Sequence, residues 1–117
     1  MGYVTTHVLD TAHGTPASGL AIEVWQELDG EWAKIKDATT NADGRLDSPA
    51  IAEEELTVGT YEIRFHVADY FRAVGVDLPE PPFLNVVPVR FGVADADAHY
   101  HVPLLVSPYS YSTYRGS

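Results

Sequence analysis

A handful of side chains in this sequence could do chemistry together. The histidines are His7, His13, His66, His99 and His101. An unperturbed imidazole titrates near about pH 6.5, so a neutral ring is available as a general base at physiological pH. His99 and His101 form an H-x-H pair on one face of a strand-like segment. Such a pair invites a metal, but zinc needs three or four ligands with supporting carboxylates, and His7 is the one evident third, so no metal is expected. Arg45 follows the turn pair Asp43-Gly44 and offers a planar fork of donors; taken alone it reads as a surface turn residue. No cysteine is present, which removes thiolate metal sites, cysteine nucleophiles and disulfides, and leaves the redox compartment open. Ser112 and Ser117 lack both an Asp-His-Ser order and a nucleophile-elbow context, so no serine nucleophile is expected. His13, in a turn, and His66, on a polar strand face, are expected to be solvated, as is the acidic run Glu53-Glu54-Glu55.

The elements that must carry these residues are short and strand-like. Tyr3–Asp10 is dense in β-branched residues and is broken by His13-Gly14-Thr15-Pro16. Leu20–Leu28 and Trp32–Asp37 flank Asp29-Gly30, a hairpin pair that tolerates positive φ at both positions. A short segment at Arg45-Leu46 is stopped by Pro49. Tyr61–Val67 alternates cleanly, with Tyr61, Ile63, Phe65 and Val67 on one face and Glu62, Arg64 and His66 on the other. The period then changes: Asp69 can cap a short helix through Tyr70–Val74, and Gly75 can end it. The loop Leu78-Pro79-Glu80-Pro81-Pro82 cannot continue a ladder. Leu84–Phe91, Tyr100–Leu105 and Tyr109–Arg115 complete about eight strands. The pattern predicts an all-β, two-sheet β-sandwich with one short helix near residues 69–74.

The first and the seventh strand share an unusual feature. Val4 and Val8 have one parity, while Thr5, His7 and Leu9 have the other; likewise Tyr100, Val102 and Leu104 oppose His99, His101, Pro103 and Leu105. Neither second face is simply charged, since Leu9, Pro103 and Leu105 would then lie in water. The simplest reading is that these outer faces meet another subunit, with His7 and His101 at the contact.

Bulk properties bound the rest. The 117 residues suit one domain, residues 1–117, without linkers, repeats or low-complexity tracts. A formal net charge of −10 and a sequence pI near 4.6 disfavour nucleic-acid binding, because such a surface repels phosphates. With only seven Lys and Arg, each cation in a candidate site counts. No apolar run approaches the roughly 20 residues that span a bilayer, so no membrane role is expected. The N-terminal residues show neither a basic nor an apolar leader region, and the cytoplasm is the default expectation.

Two stretches carry a family resemblance. His7-Val8-Leu9-Asp10-Thr11-Ala12-His13-Gly14-Thr15-Pro16-Ala17, with Leu20-Ala21-Ile22 after it, resembles the N-terminal signature of transthyretin-like proteins. Tyr100–Ser112 resembles the C-terminal one, with Val106 in place of the usual leucine before Ser107-Pro108. The likeness extends through the whole chain, including Gly59-Thr60-Tyr61-Glu62. Within the family, hormone carriers and hydrolases differ at a few positions, and at each this chain is similar to the hydrolases: His7 in the first strand, Arg45 where a carrier has an acid, His101 in the seventh strand, and the closing Tyr114-Arg115-Gly116-Ser117. The resemblance implies a transthyretin-like sandwich and a homotetramer, a dimer of dimers with sites in the channel between dimers. It also implies cofactor-free hydrolysis of 5-hydroxyisourate, a small heterocycle formed by urate oxidation in purine catabolism.

For that reaction, water must be activated, an oxyanion stabilised and a flat polar ring held. His7 and His101 are assigned to position and deprotonate the water, and neighbouring positive charge should keep at least one of them neutral. Arg45 is assigned to the oxyanion. Ser117 joins the catalytic set through its hydroxyl or terminal carboxylate, while Tyr114, Arg115, Gly116 and Ser112 are assigned to substrate binding. The alternative is a transthyretin-like carrier of a small aromatic ligand, disfavoured because His7, Arg45, His101 and Tyr114 would crowd the channel with polar and bulky groups. A structural sandwich module of a larger protein is disfavoured by the Tyr-Arg-Gly-Ser ending and the lack of linkers.

Overall fold

A computed structural model describes all 117 residues. Eight strands and one helix follow in the order β1 (Tyr3–Asp10), β2 (Thr15–Pro16), β3 (Ala21–Leu28), β4 (Glu31–Thr39), β5 (Gly59–His66), α1 (Val67–Ala73), β6 (Val86–Val93), β7 (His99–Val106) and β8 (Tyr111–Thr113). They form two four-stranded sheets, β2-β1-β7-β8 and β4-β3-β5-β6. β1 and β7 run parallel, and every other pairing is antiparallel. Between the sheets lies one core of 22 buried residues, led by Tyr61, Ile63, Phe65, Leu104, Val4 and Val8. This is the expected all-β sandwich, and no helix is long and apolar enough to cross a membrane.

The sandwich follows from period-two patterning. Along β1 every even residue is buried and every odd one half-buried, so Val4, Thr6, Val8 and Asp10 face the core while Tyr3, Thr5, His7 and Leu9 face outward. Asp29 (φ 54°) and Gly30 (φ 82°) turn the β3–β4 hairpin with positive φ at both positions, as expected for that pair.

The count of eight agrees with the sequence reading, but its membership differs. Thr15-Pro16, read as a break, pairs with Leu9 and Asp10; Pro16 is tolerated because β2 is an edge strand. Arg45-Leu46, read as a strand, makes only an isolated bridge to His7. The helix starts two residues earlier than expected, with Asp69 inside the first turn instead of capping it. Ala68 N–H there donates to the Asn85 carbonyl, so tertiary contact does part of a cap's work. Gly75 (φ 91°) ends the helix as anticipated. β6 lies two residues later than expected, and Tyr109–Arg115 shrinks to Tyr111–Thr113.

Pro103 explains the last difference. It sits in the central strand β7, offers no N–H, and its carbonyl is taken by the Thr113 hydroxyl at 2.7 Å. Tyr114 and Arg115 therefore leave the ladder, which resumes in register where Gly116 N–H donates to the His101 carbonyl at 2.9 Å.

Of the two histidines read as solvated, His13 is exposed and His66 is half-buried, and each is paired with a carboxylate. His13 Nδ1 lies 2.6 Å from the buried Asp10 carboxylate, and His66 Nε2 lies 2.6 Å from Glu23. The polar face of β5 is also covered. Glu62 is 4% exposed, held by Arg64 and Arg90, whose guanidiniums stack on Trp25 and Trp32 at 4.0 and 4.5 Å. Glu53-Glu54-Glu55 is exposed, as expected.

Candidate active site

The site is built on the outward edge and face of β1 and β7. β1 meets β2 only at Leu9 and Asp10, so its remaining free edge must be covered by something else. The segment after β4 does this: Val4 bridges Ile51, His7 bridges Arg45, and Val8 N–H donates to the Gly44 carbonyl at 2.8 Å. Asn41 shapes the loop by accepting backbone N–H bonds from Asp43 and Arg45 on its side-chain oxygen. Gly44 (φ 74°) is required twice over, by its left-handed backbone and because a Cβ there would strike the Val8 carbonyl. Arg45 is thereby delivered beside His7 from 38 positions along the chain, with a guanidinium that makes no ion pair or hydrogen bond within the protein.

The parallel register sets Thr5 against His101 and His7 against Pro103, so His7 and His101 share the outer face of adjacent strands. A cavity of about 470 Å³ opens here, lined by Tyr3, Thr5, Arg45, His99, His101 and Ser117, with Leu46–Pro49 along one wall. His101 is half-buried, and burial pushes its pKa below the ordinary 6.5, reinforced by the charge of Arg45 and by repulsion from His99 and His7 when those rings are protonated. The neutral imidazole is therefore favoured at neutral pH. Its Nδ1 lies 2.8 Å from the Thr5 hydroxyl, while Nε2 has no partner in the protein. Gly116 lies against the ring: a Cβ at that position would come within 2.5 Å of His101 Cδ2. A neutral base, an unpaired guanidinium and a hydroxyl around one cavity can activate water and stabilise an oxyanion.

Of the residues singled out in the sequence, Arg45, His101 and Ser117 line this one cavity, and His7 adjoins Arg45 through the backbone. Gly116 cradles His101. Tyr114 and Arg115 line a second cavity of about 360 Å³ that shares His101 with the first; Arg115 also lies over the Tyr100 ring at 4.3 Å. Ser112, paired with Leu105, is exposed and lines neither cavity. Tyr3 and Thr5 were not singled out by sequence, and His99 was weighed only as a metal ligand. Their signal was the odd parity they share with His7 and His101. His99 stacks on Tyr3 with ring centroids 4.3 Å apart and its Nε2 lies 2.8 Å from Thr5 Oγ1.

This fold and this site define the class. Residues 4–116 match the HIUase/Transthyretin family, and the chain belongs to it. It is 60% identical over 117 residues, the whole of both chains, to the 5-hydroxyisourate hydrolase of Ralstonia nicotianae. Among solved structures it is similar to the 5-hydroxyisourate hydrolase of Klebsiella pneumoniae (TM-score 0.82, 29% identity, covering 100% of both chains). It is also similar in fold to sea bream transthyretin in complex with thyroxine (TM-score 0.86, 32% identity, covering 97% of this chain and 93% of that one). Fold alone therefore does not separate hydrolase from carrier; the cavity residues must.

Proposed function

We propose that residues 1–117 act as one hydrolase domain that converts 5-hydroxyisourate to 2-oxo-4-hydroxy-4-carboxy-5-ureidoimidazoline. The observation that carries this reading is the convergence of His101, Arg45 and Ser117 on one cavity, beside His7. The 60% identity to a full-length hydrolase supports it. Water held by the His7/His101 pair loses a proton to imidazole and adds to a ring amide carbonyl. Arg45 receives the oxyanion, collapse breaks the C–N bond, and the imidazolium returns its proton to the leaving nitrogen. Ser117 completes the catalytic set. Gly116 and Arg115 shape the ground beside His101, and the exposed Ser112 and Tyr114 meet substrate where subunits adjoin. Side-chain acid–base chemistry suffices for these steps, and the proposal includes no metal or cofactor. The working compartment proposed is the cytoplasm.

A carrier of small aromatic ligands would use the same cavity, but a lining of Thr5, Arg45, His99 and His101 suits a polar heterocycle better than an apolar one. The test is direct. 5-Hydroxyisourate is generated from urate enzymatically, and its ultraviolet decay is followed with and without the protein. Accelerated decay is expected, with His7→Ala, Arg45→Ala and His101→Ala each lowering kcat by on the order of 10²-fold while the fold survives. Decay at the uncatalysed rate with wild-type protein would overturn the reading.

A further inference from the structure

The Thr5 hydroxyl sits between two imidazoles, 2.8 Å from His101 Nδ1 and 2.8 Å from His99 Nε2. A hydroxyl has one hydrogen to give. If both contacts are hydrogen bonds and that hydrogen is used, Thr5 donates to one ring and accepts from the other. Two arrangements satisfy this. In the first, His101 Nδ1–H donates to Thr5, and Thr5 donates to His99 Nε2. In the second, both directions reverse, His101 carries its proton on Nε2, and no lone pair faces the cavity.

We propose that Thr5 and His99 are positioning residues that hold His101 in the first arrangement, with the lone pair on Nε2 free to take a proton from water. This rests on the reading of His101 as the general base. One feature of the site favours the first arrangement over the second, and two others hold the relay together. Arg45, lining the same cavity, presents only donors, so a lone pair on Nε2 is favoured there over a second N–H. The β1–β7 register places Thr5 directly beside His101, and a β-branched side chain has few rotamers by which to leave. The stack on Tyr3 holds the His99 ring within reach of the Thr5 hydroxyl. The nitrogen of a histidine that carries the proton is set by the bond its other nitrogen makes, and here that bond is relayed through a hydroxyl to a second imidazole. When Nε2 takes the proton, the imidazolium keeps its Nδ1–H bond to Thr5, so the ring stays oriented through the step.

The experiment pairs two substitutions that remove the relay with two that restore it. Thr5→Val keeps shape and removes the hydroxyl, whereas Thr5→Ser keeps it. His99→Phe keeps the stack on Tyr3, whereas His99→Gln keeps an acceptor near the Nε2 position. Two-bond ¹H–¹⁵N spectra report the His101 tautomer, and 5-hydroxyisourate decay reports kcat and KM. Expected are an Nδ1-protonated His101 in the wild type and a shift toward Nε2–H in Thr5→Val and His99→Phe. In those two variants kcat should fall by roughly 10- to 100-fold with KM nearly unchanged, and the Ser and Gln variants should recover most of the rate. Wild-type His101 protonated on Nε2 would overturn the proposal. So would a wild-type kcat in Thr5→Val while His101→Asn is inactive, an outcome that leaves the general base in place. Wild-type rates in His101→Asn would instead remove the base assignment and this proposal with it. Should Thr5→Val fail to fold, the His99 pair reads out the same relay.

Discussion

At the scale of single residues, the site depends on how His101 is held. Its ring is hemmed by the Thr5 hydroxyl on one side and by Gly116 on the other. Gly116→Ala would push a methyl against His101 Cδ2, Cβ and Cγ, and the ring must shift to admit it. We expect kcat to fall on the order of 10-fold or more, since small displacements of a catalytic group carry large rate penalties, with little change in melting temperature. An unchanged kcat would show that the tail moves aside and that Gly116 has no part in placing the ring. The depressed pKa of His101 gives a second expectation. Because burial first, and next the charge of Arg45 and repulsion from His99 and His7 when protonated, disfavour its cation, the acid limb of kcat/KM should lie below pH 6.5. An acid limb above 6.5 would contradict the assignment of His101 as the base.

At the scale of elements, the end of β1 is tied to α1 by a buried carboxylate. Asp10 accepts bonds from the Ala12 and His13 backbone, from the His13 ring and from the Tyr70 hydroxyl. Burial pushes the Asp10 carboxyl up, but the bonds from Tyr70 and His13 outweigh it and the net shift is downward from 3.8. Burial and the adjacent Asp10 raise Tyr70 to about 12, so the phenol remains a donor. A lowered carboxylate pKa stabilises the fold above the unfolded value and loses that contribution as pH falls below 3.8 through the folded value. Asp10→Asn should therefore cost about 1–3 kcal/mol at pH 7 in denaturant unfolding, with a smaller loss below pH 3.8. The acid dependence should shrink without vanishing, because Glu23 and Glu62 are also lowered. Equal destabilisation at both pH values would assign the effect to packing instead of charge.

At the scale of the whole molecule, the outer faces of β1 and β7 leave Thr5, His7, Leu9 and Leu105 half-buried, and Tyr109, Tyr111 and Tyr114 are exposed nearby in sequence. A chain carrying a net charge of −10 has ample polar surface elsewhere, so this mixed face is where copies are proposed to meet as a dimer of dimers. Light scattering should report four times the 12.8 kDa chain mass. Leu105→Glu should lower the assembly state, with specific activity falling in proportion to the tetramer lost. A fully active monomer would remove the subunit seam from the mechanism.

Much of the framework was legible because strand alternation and turn chemistry are local. The inward and outward faces of β1, β5 and β7, the Asp29-Gly30 hairpin and the Gly75 helix end all follow from neighbouring residues. The boundaries that shifted were those decided by distant partners. Asn85 lets α1 begin early, Pro103 releases Tyr114 and Arg115 from the ladder, and Asp10 and Glu23 pair with His13 and His66. Residue types and signatures singled out His7, Arg45 and His101, but not Thr5, which touches imidazoles 94 and 96 positions away. The sequence by itself determined which residues face outward and what chemistry they could do. Only the tertiary structure decided which of them meet, because the register of a parallel pair is set by packing across the whole sandwich and leaves no mark in any local pattern.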